Sequence, residues 1–482
     1  MLISHDWLRA HVPHTLSPEA LRDLITAHVA TVDRMERLRA DLATIVVARV
    51  LEAAHHPNSD HLWVTKVDDG SGVTLDVVCG APNVTVGALY PFARVGTVMP
   101  TGNKGGILIE RRKIRGATSN GMLCSARELG LGEDHDGILA LEVEAAPGTP
   151  FLEAVAVGDV LLDIDVLPNR PDLLSHAGIA REVAALTGVA TTDPAEIFEA
   201  DASLGSVKFG EGVRGRVPSA GGSAVHDAYR ASSGGAHVQL DDAQGCPRYM
   251  GVVIRGVKVA PSPAWLVKRL EALGLRPISN VVDITNYLLH GYGQPMHAFD
   301  LARISDSTIV VRRARTGEKI TTLDGVERVL DERMTVIADS ERAVAIAGVM
   351  GGLDSEVRDE TTDIFLEVAY FAARSTRVTR RALGLSTDAS YRFERGIDPM
   401  MAPHTLSLAT QLITSIAGGS LDGSAIDVGA APDAAAHIRV RPTRVAQLLG
   451  DEISSAEIER LLRSIGFGVT SEGTATATAL LV

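Results

Sequence analysis

Between residues 44 and 109, short apolar runs recur about every ten residues, at 44–51, 62–67, 74–78, 87–92 and 107–109, with Gly and Pro between them. That rhythm leaves no room for a long helix and fits a small β-barrel. It also constrains what surrounds it. Residues 1 to 40 hold one amphipathic pattern, from Ser17 to Ala27, with Leu21, Leu24 and Ile25 on one face. Ser17 suits a helix N-cap, and Pro18 suits the first helical position, where its missing N–H goes unneeded. A piece this small encloses no core, so it must pack on something later in the chain.

The 482 residues exceed one ordinary domain and predict about three to four. Aromatic residues make up only 4%, so the cores must lean on Leu, Val, Ile and Ala. Cys79, Cys124 and Cys246 are odd in number and widely spaced, which fits neither a disulfide framework nor a zinc site and predicts a reducing compartment. No apolar run reaches the length of about 18 residues that a membrane span needs, and the first residues lack a signal peptide's layout. The expected location is the cytoplasm. A net charge of -14 argues against nucleic-acid binding by the whole surface, but it leaves room for a local patch. Lys104, Arg111, Arg112, Lys113 and Arg115 form such a run, read either as a solvated strand face or as a groove for a nucleic-acid backbone.

Further along, 161–188 predict a strand, a Pro-bounded turn and a helix from Asp172 or Leu173 to Leu186, with Gly188 just past its end. Residues 189 to about 240 are rich in Ala, Gly, Ser and Asp, with Gly pairs at 221 and 234, and read as a linker or surface excursion. From Pro247 onward, strands, helices and a hairpin at Leu323-Asp-Gly325 predict an α+β domain. Its most informative stretch is 280–300. Asp283, Thr285, Asn286, Gln294, His297 and Asp300 alternate there with apolar residues. Val281, Val282, Ile284 and Tyr287 favour an extended or buried start, and Gly291, Gly293 and Pro295 interrupt the second half. Polar groups on a partly buried segment need partners. The stretch either forms a pocket or merely ties down turns around a core histidine. Glu367, inside the apolar run Ile-Phe-Leu-Glu-Val-Ala, is either an inward carboxylate paired with an arginine or a polar group offered to a ligand. The last piece predicts a strand and two helices, with Ser454 and Glu457 at capping-box spacing.

Three phrases, His56-Pro-Asn-Ser-Asp-His-Leu62, Val77-Val-Cys-Gly-Ala-Pro-Asn-Val84 and Lys113 to Ser125, together resemble the OB-fold tRNA-binding module of aminoacyl-tRNA synthetases. Residues 161–188, Val282–Tyr287, Gln294–Asp300, Val349–Gly352, Leu366-Glu367 and Thr387–Ser390 resemble, in order, the β subunit of bacterial phenylalanyl-tRNA synthetase, a class II ligase. The resemblance implies an α+β multidomain chain: an OB-fold β-barrel (41–151) inserted in an N-terminal α/β domain (1–40 with 152–190), a linker (191–240), an α+β editing domain (241–400) and a small C-terminal α/β domain (401–482). It implies that tyrosine wrongly attached to tRNA(Phe) is hydrolysed in the editing domain, while an α subunit attaches phenylalanine with ATP and Mg2+ in an α2β2 heterotetramer. His297 and Glu367 would then be catalytic, and Thr285, Asn286, Gly348, Gly351, Thr387 and Ala389 would line the pocket. The basic run would contact tRNA. No ATP or metal ligands are identifiable within this chain. Family members continue beyond this length, which makes the chain look truncated after Val482. A tRNA- and α-subunit-binding scaffold without editing, and a free-standing deacylase, are the alternatives.

Overall fold

The computed structural model describes residues 1–100, 106–131, 136–155, 157–192, 225–226, 229–430, 437–472 and 479–481. The chain is an α+β protein of two compact units, one made of Glu36–Leu161 and the other of Met1–Met35 with Leu162–Val482.

The smaller unit is built on a five-stranded antiparallel sheet in the order Gly121–Leu123, Leu89–Arg94, Ile45–His55, Trp63–Asp68, Thr74–Cys79. Its long central strand shifts register between Val50 and Glu52, and such a bulge bends a strand enough to curl the sheet. The outer strand Thr74–Cys79 is tied back toward the opposite edge. Val78 N–H donates to Ser119 Oγ at 3.0 Å and Asn120 N–H to the Asp76 carbonyl at 2.8 Å, just before Gly121 opens the first strand. The curled interior is filled by Val46, Val50, Val67, Val77, Tyr90 and Phe92.

In the larger unit, Ser17 caps the helix Pro18–His28 through a bond from Ala20 N–H, and Leu21 and Ile25 of that helix are fully buried. They share one core with Ile3 and Leu8 on one side and Leu162, Ile164, Leu173, Ile179 and Val183 on the other, so the first residues are buried against residues beyond position 160. The later helix spans His176–Thr187 and ends on Gly188 in the left-handed region at φ 73°.

Two sheets make up the centre of this unit. One is antiparallel with order Met296–Asp300, Asp363–Tyr370, Arg248–Arg255, Ser420–Gly429. The other has seven strands, among them Arg230–Ser233, Ala236–Leu240, Thr308–Arg313, Thr335–Ala338 and Ala343–Ile346. Tyr249, Phe299 and Phe365 from the first sheet and Val238, Val311 and Ile337 from the second belong to a single apolar cluster.

Two expectations need correcting. The 191–240 linker stops short of 240, because Arg230–Ser233 and Ala236–Leu240 form a hairpin in the seven-stranded sheet. The Gly234-Gly235 pair is its two-residue turn, with φ of 60° and 76°, conformations that side-chain-bearing residues adopt reluctantly. Residues 193–224 and 227–228 of that stretch lie outside the described residues. The second correction concerns 280–300, whose first half is a helix, Asn280–Tyr292, and not an extended segment. Ser279 caps it, Val281, Ile284, Tyr287 and Leu288 form its buried stripe at helical spacing, and Gly293 ends it at φ 80°. Periodicity outweighs the weak strand preference of β-branched residues.

Among the described residues, the chain's last part holds the helices Pro442–Leu449 and Ser455–Ser464 and a small sheet, packed around Ile458 and Val469. Ser454 caps the second helix through Glu457 N–H. The three cysteines are free and buried.

Candidate functional site

A cavity of about 280 Å³ opens in the larger unit, walled by both sheets and two helices. The helix Asn280–Tyr292 contributes Thr285, Asn286 and Leu289. The four-stranded sheet supplies His297 and Glu367, which sit directly opposite each other on adjacent strands. The seven-stranded sheet adds Ile337, Ala345, Ile346 and Gly351, and the helix Asp388–Phe393 with its N-cap adds Thr387, Ala389 and Phe393. Every pocket residue expected from the sequence, Thr285, Asn286, His297, Gly348, Gly351, Glu367, Thr387 and Ala389, therefore meets at one cavity.

Each of these groups has its own local reason for being there. Glu367 is 5% exposed, in a strand whose neighbours Leu366 and Val368 are fully buried. Its Oε2 accepts a 2.8 Å hydrogen bond from the Tyr249 hydroxyl. Burial pushes the carboxyl up to about 8, and the bond from Tyr249 opposes that rise only in part. At neutral pH the group is thus mostly uncharged, which lets it reside in an apolar wall. Among the described residues, no other side chain bonds to this carboxyl.

The His297 ring meets Phe299 edge-on at 4.5 Å, and among the described residues its buried Nε2 has no hydrogen-bond partner. Burial lowers its pKa to about 4, so the imidazole is neutral at pH 7. Gly351 makes the placement possible, because a Cβ there would stand 2.5 Å from His297 Cε1. Gly348, at φ 67°, likewise leaves room for Phe371, Phe393 and Thr376, the nearest at 2.9 Å from a notional Cβ. Both glycines admit the protein's own side chains to the cavity wall.

Thr387 and Thr285 have committed hydroxyls. Thr387 Oγ1 donates to the Val349 carbonyl at 2.8 Å and accepts from Ser390 N–H in a capping box. Thr285 Oγ1 donates to the Val282 carbonyl at 2.7 Å. These two hydroxyls shape the cavity, while His297, Glu367 and Asn286 bring further polar side chains to its wall.

Tyr249 was not anticipated. Its signal was a lone tyrosine in the apolar strand Arg248–Arg255, where a buried phenol needs a polar partner. The partner of Glu367 is this hydroxyl, not an arginine.

The basic run lies in the other unit. Arg111, Arg112 and Lys113 are exposed, and Arg112–Ile114 pairs with Ala117–Ser119 in a hairpin turning at Arg115-Gly116. Arg115 is in the left-handed region at φ 46° and donates from Nη1 to the Asn58 carbonyl at 3.1 Å. His56 Nε2 lies 3.2 Å from the Ile114 carbonyl. The phrases around His56 and Lys113 therefore meet in space. Lys104 lies outside the described residues.

Among the described residues, no group of three or more His, Cys, Asp or Glu could hold a metal ion, and no helix is long and apolar enough to cross a membrane.

Comparison with known proteins bears on what this arrangement is similar to. Residues 45–150 match the putative tRNA binding domain and residues 245–418 match the B3/4 domain. Over nearly its whole length the chain is similar to phenylalanine–tRNA ligase β subunits. It is 45% identical over 467 residues to the phenylalanine–tRNA ligase beta subunit of Anaeromyxobacter dehalogenans, covering 97% of this chain and 54% of that protein. It is 41% identical over 480 residues to that of Salinibacter ruber, with 97% and 55% covered. The chain thus spans about half the length of the curated relatives it matches.

Proposed function

We propose that this chain serves a phenylalanine–tRNA ligase as its β subunit, binding tRNA and hydrolysing tyrosine wrongly esterified to tRNA(Phe). The observation that carries the reading is Glu367, a mostly uncharged carboxyl on an apolar wall with one oxygen bonded to Tyr249. A tyrosine ring would fill the apolar part of the cavity, and its hydroxyl would pair with the remaining oxygen of Glu367. Phenylalanine would bury that oxygen unpaired, at a cost of about 1–3 kcal/mol. This reverses the weak preference of a site built for phenylalanine, which rejects a ligand with one extra hydroxyl only about a hundredfold.

In the hydrolysis, water attacks the ester carbonyl carbon, the bond to the ribose oxygen breaks, and that oxygen takes up a proton. His297, a neutral imidazole on the cavity wall, would help to hold the water. With its pKa lowered to about 4, the imidazole is a weak base at pH 7, so its contribution is mainly to orient the water. No covalent nucleophile is needed.

The exposed basic hairpin and the tRNA-binding domain match support contact with tRNA through Arg111, Arg112, Lys113, Arg115 and Lys104. Attachment of phenylalanine, with ATP and Mg2+, falls to an α subunit in an α2β2 assembly in the cytoplasm, and no step of the hydrolysis passes through those cofactors. The cavity's unspent polar atoms argue against a scaffold without editing. In deacylation assays, Glu367→Ala is expected to lower the preference for tyrosyl- over phenylalanyl-tRNA by about 10- to 100-fold. An unchanged ratio would exclude Glu367 as the discriminating group.

A further inference from the structure

The helix Ala373–Leu383 carries four arginines and no acidic residue, in a chain whose net charge is -14. Its inner face is uncharged. Thr376 and Thr379 are buried, Ser375 Oγ lies 3.0 Å from Thr335 Oγ1, and Thr376 Oγ1 stands 3.2 Å from where a Cβ on Gly348 would be. Gly348 lines the cavity, so this helix backs the cavity wall. Its outer face presents Arg374, Arg377 and Arg381, all exposed and spaced to lie in one row. At Gly384 the chain turns, and a few residues later Thr387, Asp388 and Ala389 line the cavity.

The stripe's charge is not offset locally. Glu394 is already shared between Arg380 at 2.9 Å and Arg395 at 2.7 Å. Arg377 Nη2 donates to the Glu394 carbonyl at 2.6 Å. The side chains of Arg374 and Arg381 make no hydrogen bond or ion pair with any described residue. An RNA-borne ester can enter the cavity only if the nucleotides behind it lie along the adjoining surface, and an acidic protein repels that backbone unless charge is supplied there. Guanidinium forks suit phosphate oxygens, and the row from Arg374 to Arg381 runs about 10 Å along the helix, enough for more than one phosphate.

We infer that the row Arg374, Arg377 and Arg381 is a phosphate-binding track for the RNA strand whose esterified end enters the Glu367 cavity. The inference rests on the proposed hydrolysis for its purpose, but its binding chemistry can be tested separately.

The test compares the full chain with an Arg374→Gln/Arg381→Gln double variant, sparing Arg377 because it also holds the Glu394 carbonyl. The first readout is binding to an RNA hairpin with a single-stranded 3′ tail across roughly 50 to 200 mM salt. The variant should bind more weakly, and its log-log salt slope should flatten by about 0.7 for each phosphate it no longer neutralises. Unchanged affinity and slope would overturn the track, including the case in which the stripe docks a protein chain instead. The second readout is deacylation. KM for tyrosyl-tRNA should rise about tenfold in the low-salt range, with kcat kept, while hydrolysis of tyrosyl-adenosine, which has no phosphates, stays as in the parent. An equal loss on both substrates would mean a disturbed cavity and would also overturn the track. If the parent hydrolyses neither substrate yet the slope still falls in the variant, the hydrolytic reading fails and the track stands.

Discussion

In the larger unit His176 is fully buried and His297 half-buried, and they are held in opposite ways. His176 is fully buried and uses both ring nitrogens: Ser4 N–H donates to its Nε2 at 3.1 Å, and its Nδ1 lies 2.9 Å from the His290 carbonyl. Its ring also stacks on Trp7 at 4.1 Å, and Trp7 stacks in turn on Tyr287 at 4.8 Å. His297 has a phenyl neighbour as well, but its Nε2 is unspent beside a cavity. Burial lowers both pKa values, so a perturbed titration alone does not distinguish them. What separates a histidine that builds from one available for chemistry is whether its polar atoms are already used.

The largest expected contrast comes from truncating each in turn. His176→Ala leaves the Ser4 amide and the His290 carbonyl without their partner, and should cost about 3 kcal/mol or more in chemical denaturation. Its effect on tyrosyl-tRNA deacylation per folded molecule should be slight. His297→Ala should cut deacylation by about a hundredfold with little change in unfolding midpoint. Exchanged phenotypes would break the contrast.

A smaller effect concerns pH. Glu367 has its folded pKa raised to about 8 from an ordinary value of 4.5, so between those values the folded state holds a proton that the unfolded state has released. Stability from this group is fully present below 4.5 and is lost as pH rises toward 8. His297, depressed from 6.5 to about 4, acts oppositely, with stability lost as pH falls below 6.5. The two oppose each other below 6.5, and Glu367 dominates this pair above it. Denaturation at pH 6.5 and 8 should show a decline of roughly 1–2 kcal/mol that Glu367→Gln removes. A decline equal in both proteins would place its origin elsewhere.

The smallest expected effect is the subtlest test of the cavity. Tyr249→Phe removes the bond that fixes Glu367 Oε2, and should lower the kcat/KM preference for tyrosyl- over phenylalanyl-tRNA by about threefold to tenfold. An equal fall for both substrates would reduce Tyr249 to a packing role.

Much of this was legible in the sequence because spacing reports local structure. Ser17-Pro18 marks a capped helix start, the Gly/Pro rhythm marks the short strands, and Gly188 marks a helix end. Local preference misled where tertiary burial decides. Val281, Val282 and Ile284 read as an extended or buried start; Val281 and Ile284 are buried, but the stripe they share with Tyr287 and Leu288 is helical. Gly234-Gly235 read as a sign of loose chain, but their positive φ angles close a hairpin whose strands come from poorly apolar sequence. The pocket set was carried by resemblance. The bond between Tyr249 and Glu367 joins residues 118 positions apart and leaves no trace in spacing.

The division of the chain has a consequence for its synthesis. Strand Leu2–Ser4 belongs to a sheet ordered Leu2–Ser4, Asp159–Asp165, Thr31–Leu38, and Leu21 and Ile25 share their core with Leu162 and Ile164. The amino-terminal segment thus cannot settle until position 165 has left the ribosome, whereas Glu36–Leu161 can close as soon as its own last strand emerges. The Pro18–His28 helix must wait with its apolar face uncovered until residues 162–183 have followed it.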